Sequence, residues 1–198
     1  ACCAPCSSYT LAYLSPHFRK IDVLFYNPNI SPEPEYALRL AELTHLVERV
    51  SYGCPITVIA GTYEPERFYA MARGMEELPE GGARCYLCYE MRLRETARMA
   101  RDGGYDYFTT TLSISPYKNA VWLNEIGAQT AAETGGVYLT SDFKKRGGYQ
   151  RSIALSREYG LYRQDFCGCV YSARDAEKRR AAAGEQKQDT VTREPVSD

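Results

Sequence analysis

Seven of the eight cysteines fall into three tight groups: Cys2-Cys3 with Cys6, Cys85-x-x-Cys88, and Cys167-Gly168-Cys169. Thiolates are soft, anionic ligands. Several converging on one point repel each other unless a metal, an iron–sulfur cluster or oxidation to disulfides absorbs the charge. Cys2, Cys3, Cys85 and Cys88 already supply the four thiolates of a [4Fe–4S] cluster or of a structural zinc. Adjacent cysteines are unusual for zinc knuckles, so spacing tilts slightly toward the cluster. Cys6, Cys167 and Cys169 remain outside that set. Two cysteines separated by one glycine can close into a strained, labile disulfide, which suits a redox-active pair. Alternatively, Cys6, Cys167 and Cys169 hold a second, mononuclear iron with an open position for substrate. Cys54, beside Pro55, has no cysteine neighbour and reads as an inert buried thiol.

A second constellation is basic. Asp142-Phe-Lys-Lys-Arg-Gly-Gly-Tyr-Gln-Arg151 places Lys144, Lys145, Arg146 and Arg151 around a glycine turn and Tyr149. Cations give phosphate affinity, the turn lets backbone N–H groups approach, and the ring can stack on a base. The bland alternative is a solvated loop. Lys118, Asn27 and Asn29 follow strand-like runs and can line the same edge, although asparagines there also serve simply as turn formers. His17 and His45 read as surface or packing residues.

The elements that must carry these groups alternate. Ile21–Tyr26 and Ile56–Ala60 are β-rich runs, and residues 105–111 and 137–140 are strand-like. Between them, Tyr36, Leu40, Leu43, Val47 and Val50 share one helical face, and Phe68, Met71, Ala72 and Met75 share another. A helix from the CxxC carries Tyr89, Leu93, Ala97 and Ala100 on one side, residues 119–133 are helical, and Ser7 or Ser8 can cap a short helix to Leu14. This pattern predicts an α/β fold: a three-layer, mostly parallel, Rossmann-like sheet with helices on both faces. Loops leaving the carboxyl ends of its strands then build the site. Residues 1–172 form one catalytic domain, and 173–198, rich in Ala, Glu, Lys, Arg and Gln, read as a polar tail, disordered or partly helical.

Composition limits the classes. At 198 residues with a net charge of -1, the chain has no global field to recruit nucleic acid, so a polyanion needs a local basic patch. No apolar run approaches the ~20 residues of a membrane span and no signal peptide is recognisable, which reads as cytoplasmic, without a membrane partner. Cytosolic thiols are held reduced, favouring ligands or redox pairs over structural cross-links. Seventeen tyrosines supply rings that can stack on bases.

Taken together, Cys2-Cys-Ala-Pro-Cys6, Phe25-Tyr-Asn-Pro-Asn-Ile30, Glu35-Tyr36 with Arg39, Arg84-Cys-Tyr-Leu-Cys88 with Arg92-Leu93, Thr109–Ser115, Asp142–Lys145 with Gly147–Ser152, and Phe166-Cys-Gly-Cys169 resemble the QueH family of epoxyqueuosine reductases. The resemblance implies reduction of the epoxide of epoxyqueuosine to queuosine at the wobble position of a tRNA, without cobalamin. It implies an iron–sulfur enzyme with the cluster on Cys2, Cys3, Cys85 and Cys88, and Cys167 with Cys169 as a redox pair or part of a neighbouring metal site. Cys6 stands at a position that is acidic in some relatives. Family members carry a short strand ahead of the double cysteine that is absent from this sequence, which opens at Ala1. The electron donor is unidentified. Two other classes remain open: a zinc-stapled RNA-binding module without catalysis, and an ATP-dependent tRNA thiolation enzyme, against which stands the lack of a glycine-rich phosphate loop after the first strand.

Overall fold

The computed structural model describes residues 1–191. Its elements run α1 (Ala4–Leu14), β1 (Ile21–Phe25), α2 (Glu33–Arg49), β2 (Ile56–Ala60), α3 (Pro65–Ala72), α4 (Ala83–Asp102), α5 (Ala120–Thr134), α6 (Gly148–Glu158) and α7 (Val170–Val191), with 3-10 turns at Ser15–His17 and Thr111–Ile114. β1 and β2 pair in parallel, Ile21 opposite Ile56 through Phe25 opposite Ala60. Helix α2 makes the crossover that a parallel pair requires. Its Tyr36, Leu43 and Leu46 pack with Val23, Phe25 and Ile30 to form one half of the core.

The other half lies around α4 and α5. Tyr89, Leu93, Ala97 and Ala100 of α4 pack with Leu123, Ile126 and Ala131 of α5 and with Phe108 and Tyr138. Asn119 starts α5 because its side-chain oxygen accepts from the N–H groups of Val121 and Trp122, satisfying donors the helix leaves free. Gly127 lets α5 lie against Tyr138, whose ring would be 2.4 Å from any Cβ placed there.

The fold is mixed α/β, with seven helices and a small parallel sheet among the described residues. The two further strands expected at 105–111 and 137–140 reduce to one parallel bridge, Phe108 to Tyr138. A cavity of about 710 Å³, lined by Val23, Leu24, Tyr105, Phe108 and Thr110, lies between the Phe108 segment and β1, bridged at one end by the Tyr105 hydroxyl donating to Asp22. Without a second neighbour to complete a ladder, that segment turns into the Thr111–Ile114 3-10 turn. The chain expected to become a polar tail from residue 173 continues through α7, with Ala176 buried, and residues 192–198 lie outside the described residues. No helix among the described residues is long and apolar enough to cross a membrane.

Candidate metal and redox centre

Helix α1 begins on the double cysteine. Cys3 is its extended N-cap and Pro5 sits in the first turn, where a missing N–H costs nothing. The start is thus earlier than a cap at Ser7 or Ser8. Those hydroxyls instead donate back to the carbonyls of Cys3 and Pro5, each at 2.9 Å. This tight turn brings the thiols of Cys2, Cys3 and Cys6 within 4.8 Å of one another. The sulfurs of Cys2 and Cys3 are 3.8 Å apart, and a tetrahedral metal with bonds of about 2.3 Å to sulfur has S–S edges of about that length.

Cys85 and Cys88 sit in the first turns of α4, after the Gly81-Gly82 break. The Cys85 sulfur accepts the N–H of Gly81 at 3.3 Å. Cys85 shares an apolar cluster with Cys2, Cys3 and Tyr89, and Cys6 packs at its edge. Cys88, three residues on and on the same side of the helix, packs with Cys169, Phe68 and Ala72. Helix α4 therefore brings both its thiols between the Cys2–Cys6 turn, which shares a cluster with Cys85, and the Cys167–Cys169 loop, which packs on Cys88. All eight cysteines are free thiols. Cys54 is only half-buried, more open than expected of an inert core thiol.

The Cys167–Cys169 loop is held from afar. Arg39 of α2, 1% exposed, donates to the carbonyls of Cys167 at 3.0 Å and Phe166 at 3.5 Å. Its Nε pairs with Glu35 at 2.7 Å, and its guanidinium lies 5.1 Å from the centre of the Phe166 ring. Ser31 N–H donates to the Gly168 carbonyl at 2.9 Å. Gly168 takes φ +121, and a Cβ there would meet Ile30 at 2.9 Å and Arg39 Nη1 at 3.1 Å, so only glycine fits. Lys118 donates to the Cys167 sulfur at 3.0 Å and reaches Glu80 at 3.3 Å. The Cys169 sulfur accepts the Ser172 N–H at 3.4 Å from the start of α7.

The electrostatics follow from crowding sulfur in a dry place. Hydrogen bonds from the Cys3 and Cys6 thiols hold Cys2 well below the ordinary thiol range, helped by the charge of Arg92. The same contact with Cys2 pushes Cys3 up to about 12. Burial pushes Cys88 up to about 12 and raises Cys85 and Cys169. Burial also works against the charge on Lys118, but Cys167, Tyr89 and Glu80 outweigh it and hold the amine above its usual range. A metal cation binds the deprotonated form of such thiols, so its entry releases their protons.

The basic segment lies elsewhere on the same scaffold. Lys144 is turned inward, to Asp142 at 2.8 Å and the Ser113 carbonyl at 3.4 Å. Lys145, Arg146 and Arg151 are exposed and Tyr149 is half-buried. Gly147, at φ +77, caps α6, a helix that the loop-like reading of 141–151 overlooks. Gly148 then seats α6 on α1 beside Tyr9, where no Cβ has room against the Phe143 carbonyl. Lys118, grouped with this segment on sequence grounds, is buried at the sulfur centre instead. Asn27 and Asn29 are buried too, and His17 and His45 are exposed.

Two residues had no role assigned from the sequence. Arg39 is one. Arg92 is the other: buried, it donates to Asn27 Oδ1 at 2.6 Å, while Asn27 Nδ2 donates to the Ala1 carbonyl at 2.9 Å beside the double cysteine. The signal was present. Arg39 lies three residues after Tyr36 and four before Leu43, and Arg92 four after Cys88, so both arginines fall on faces that otherwise go inside.

A sequence model described as epoxyqueuosine reductase QueH matches residues 1–175, spanning all three cysteine groups. Curated relatives agree. The epoxyqueuosine reductase QueH of Streptococcus pyogenes serotype M1 is 43% identical over 175 residues, covering 87% of this chain and 68% of the relative. That of Staphylococcus epidermidis is 44% identical over 177 residues, covering 87% and 74%. That of Thermotoga maritima is 36% identical over 183 residues, covering 91% of both. On a match that takes in every element from α1 to the start of α7, this chain belongs to the epoxyqueuosine reductase QueH family of oxidoreductases.

Proposed function

We propose that this protein reduces epoxyqueuosine to queuosine at the wobble position of tRNA. The observation that carries the reading is the convergence of three cysteine groups, far apart in sequence, on one buried region around α4. Converting an epoxide to an alkene consumes two electrons and two protons and releases water. A bound iron–sulfur cluster, and a second iron beside it, would supply one-electron transfer and a Lewis acid. The donor chemistry fits such groups. Cys2, Cys3, Cys85 and Cys88 would hold the cluster: the spread of Cys85 and Cys88 away from the trio suits a polynuclear centre, in which each thiolate binds its own iron. Cys6 packs beside Cys2 and Cys3 and against Leu14, Ile114 and Phe143.

The chain's own residues then have defined tasks. Cys167 and Cys169 together, as a dithiol going to a disulfide, release the two electrons and two protons that the deoxygenation requires. Lys118 orients the Cys167 sulfur and keeps a positive charge beside it. Arg39 fixes the loop so that neither sulfur swings away. Lys145, Arg146 and Arg151 present charge for the tRNA backbone, and Tyr149 a ring for stacking.

Anaerobic purification, iron and sulfide analysis, and an assay on tRNA carrying epoxyqueuosine test this. Expected are brown protein with iron and sulfide in near-equal amounts, and conversion of the epoxide to the alkene. Colourless protein holding zinc, without conversion, overturns it. A second reading has one observation behind it: the 3.8 Å separation of the Cys2 and Cys3 sulfurs also fits a single tetrahedral metal on the Cys2–Cys3–Cys6 trio. Metal stoichiometry separates the two.

A further inference from the structure

Arg92 is a buried cation that no carboxylate pairs with among the described residues. Its Nη2 donates to the neutral Asn27 amide, its Nε has no hydrogen-bond partner, and the ionisable groups facing it are the thiols of Cys88, Cys2 and Cys167. Arg84, also buried without a carboxylate, directs its donors to the Met75 and Glu76 carbonyls and its face to the Tyr171 ring, well satisfied where Arg92 is not. Arg39 has Glu35 and Lys118 has Glu80. A guanidinium is always protonated, and burying one unpaired is among the costliest things a core can do. The core of α4 has kept it on the face that carries Cys85, Cys88 and Tyr89.

We infer that Arg92 is a positioning residue whose fixed charge compensates whatever anionic metal–thiolate group those sulfurs hold, while its Asn27 contact pins the double-cysteine turn through the Ala1 carbonyl. The inference rests on the metal reading of the cysteines above, not on the identity of the substrate. Two effects follow. A cation against the group favours its more negative, reduced state, and thus raises its reduction potential. The Arg92–Asn27–Ala1 relay also ties α4 to the chain entering α1, so Cys2 and Cys85 are set by one network.

The test uses the iron-loaded protein and three chains: wild type, Arg92→Gln and Arg92→Lys. Midpoint potential is read by spectroelectrochemical titration, metal content by analysis and folding by circular dichroism. Expected is a folded Arg92→Gln variant whose reduced-to-oxidised ratio at a given potential falls tenfold or more, about 59 mV per tenfold for a one-electron couple. Arg92→Lys, which keeps charge but loses the planar fork, recovers most of the shift. Loss of metal from folded Arg92→Gln but not from Arg92→Lys supports the inference equally. It is overturned if Arg92→Gln keeps both metal and the wild-type potential, or if Arg92→Lys is as impaired as Arg92→Gln. Should Arg92→Gln not fold, Arg92→Lys decides alone: a potential within a tenfold ratio of wild type supports the charge, and a larger shift overturns it. Wild-type protein without metal overturns the inference along with the metal centre. Wild-type protein whose potential depends on Arg92 but which leaves epoxyqueuosine untouched overturns only the proposed substrate.

Discussion

The Cys2–Cys6 turn and the Cys167–Cys169 loop both present thiols to α4, but they are built in opposite ways. The first is local: an extended N-cap, a first-turn proline and two serines bonding back into the helix bring three sulfurs together within a few residues. The second owes its shape to residues far from it in sequence, Arg39 and Ser31 on the backbone and Lys118 on the sulfur. A turn held by its own sequence takes shape with its helix, whereas a loop held from afar takes shape only when the fold closes around it. Arg39 grips carbonyls, not thiols.

That contrast is open to test. The largest effect is expected from Arg39→Ala, which strips the Phe166 and Cys167 carbonyls of their donor and leaves Glu35 without its cation. Breaking a buried pair of this kind costs about 3–5 kcal/mol, to be read by urea denaturation of the metal-free protein. Loss of less than about 1 kcal/mol would mean that the loop holds itself. Lys118→Met comes next, at about 1.5–3 kcal/mol for a hydrogen bond to a charged group. Because its folded-state pKa is raised, the lysine contributes fully below its unfolded value of about 10.4 and loses that contribution as pH rises through the folded value. The stability gap between wild type and Lys118→Met should therefore stay level from neutral pH to about 10 and close only above it. A gap that closes near neutrality breaks the assignment. The smallest effect on folding is expected from Lys145→Ala, whose side chain is 77% exposed. Its stability should move by no more than about 0.5 kcal/mol, while the log–log salt slope of tRNA binding drops by about 1. An unchanged slope would remove the basic segment from the interface.

The sequence made the helices and the first two strands legible, since their apolar periods are strong and their breaks carry glycine or proline. The sheet was less so. Residues 105–111 have every local mark of a strand, yet strand formation needs an adjacent edge, and the cavity beside β1 withholds it. At the site, the three sulfur groups were readable from spacing alone. Which thiols would crowd together was not: Cys6 approaches Cys2 and Cys3 more closely than Cys85 or Cys88 does, a consequence of α1 starting one turn before the serines. Lys118 was misgrouped with a surface loop for a related reason. A lysine after a turn looks solvated until tertiary packing supplies Glu80 and a sulfur.

The grip of Arg39 on the Phe166 and Cys167 carbonyls spans more than 120 positions of chain. During synthesis α2 leaves the ribosome long before its clients do, and its guanidinium must wait with Glu35 alone for company. The thiol chamber therefore stays unsealed on that side until translation is almost over. A nascent chain stalled before Phe166 thus leaves the Cys2–Cys6 and Cys85–Cys88 thiols open to whatever oxidant or metal ion is at hand.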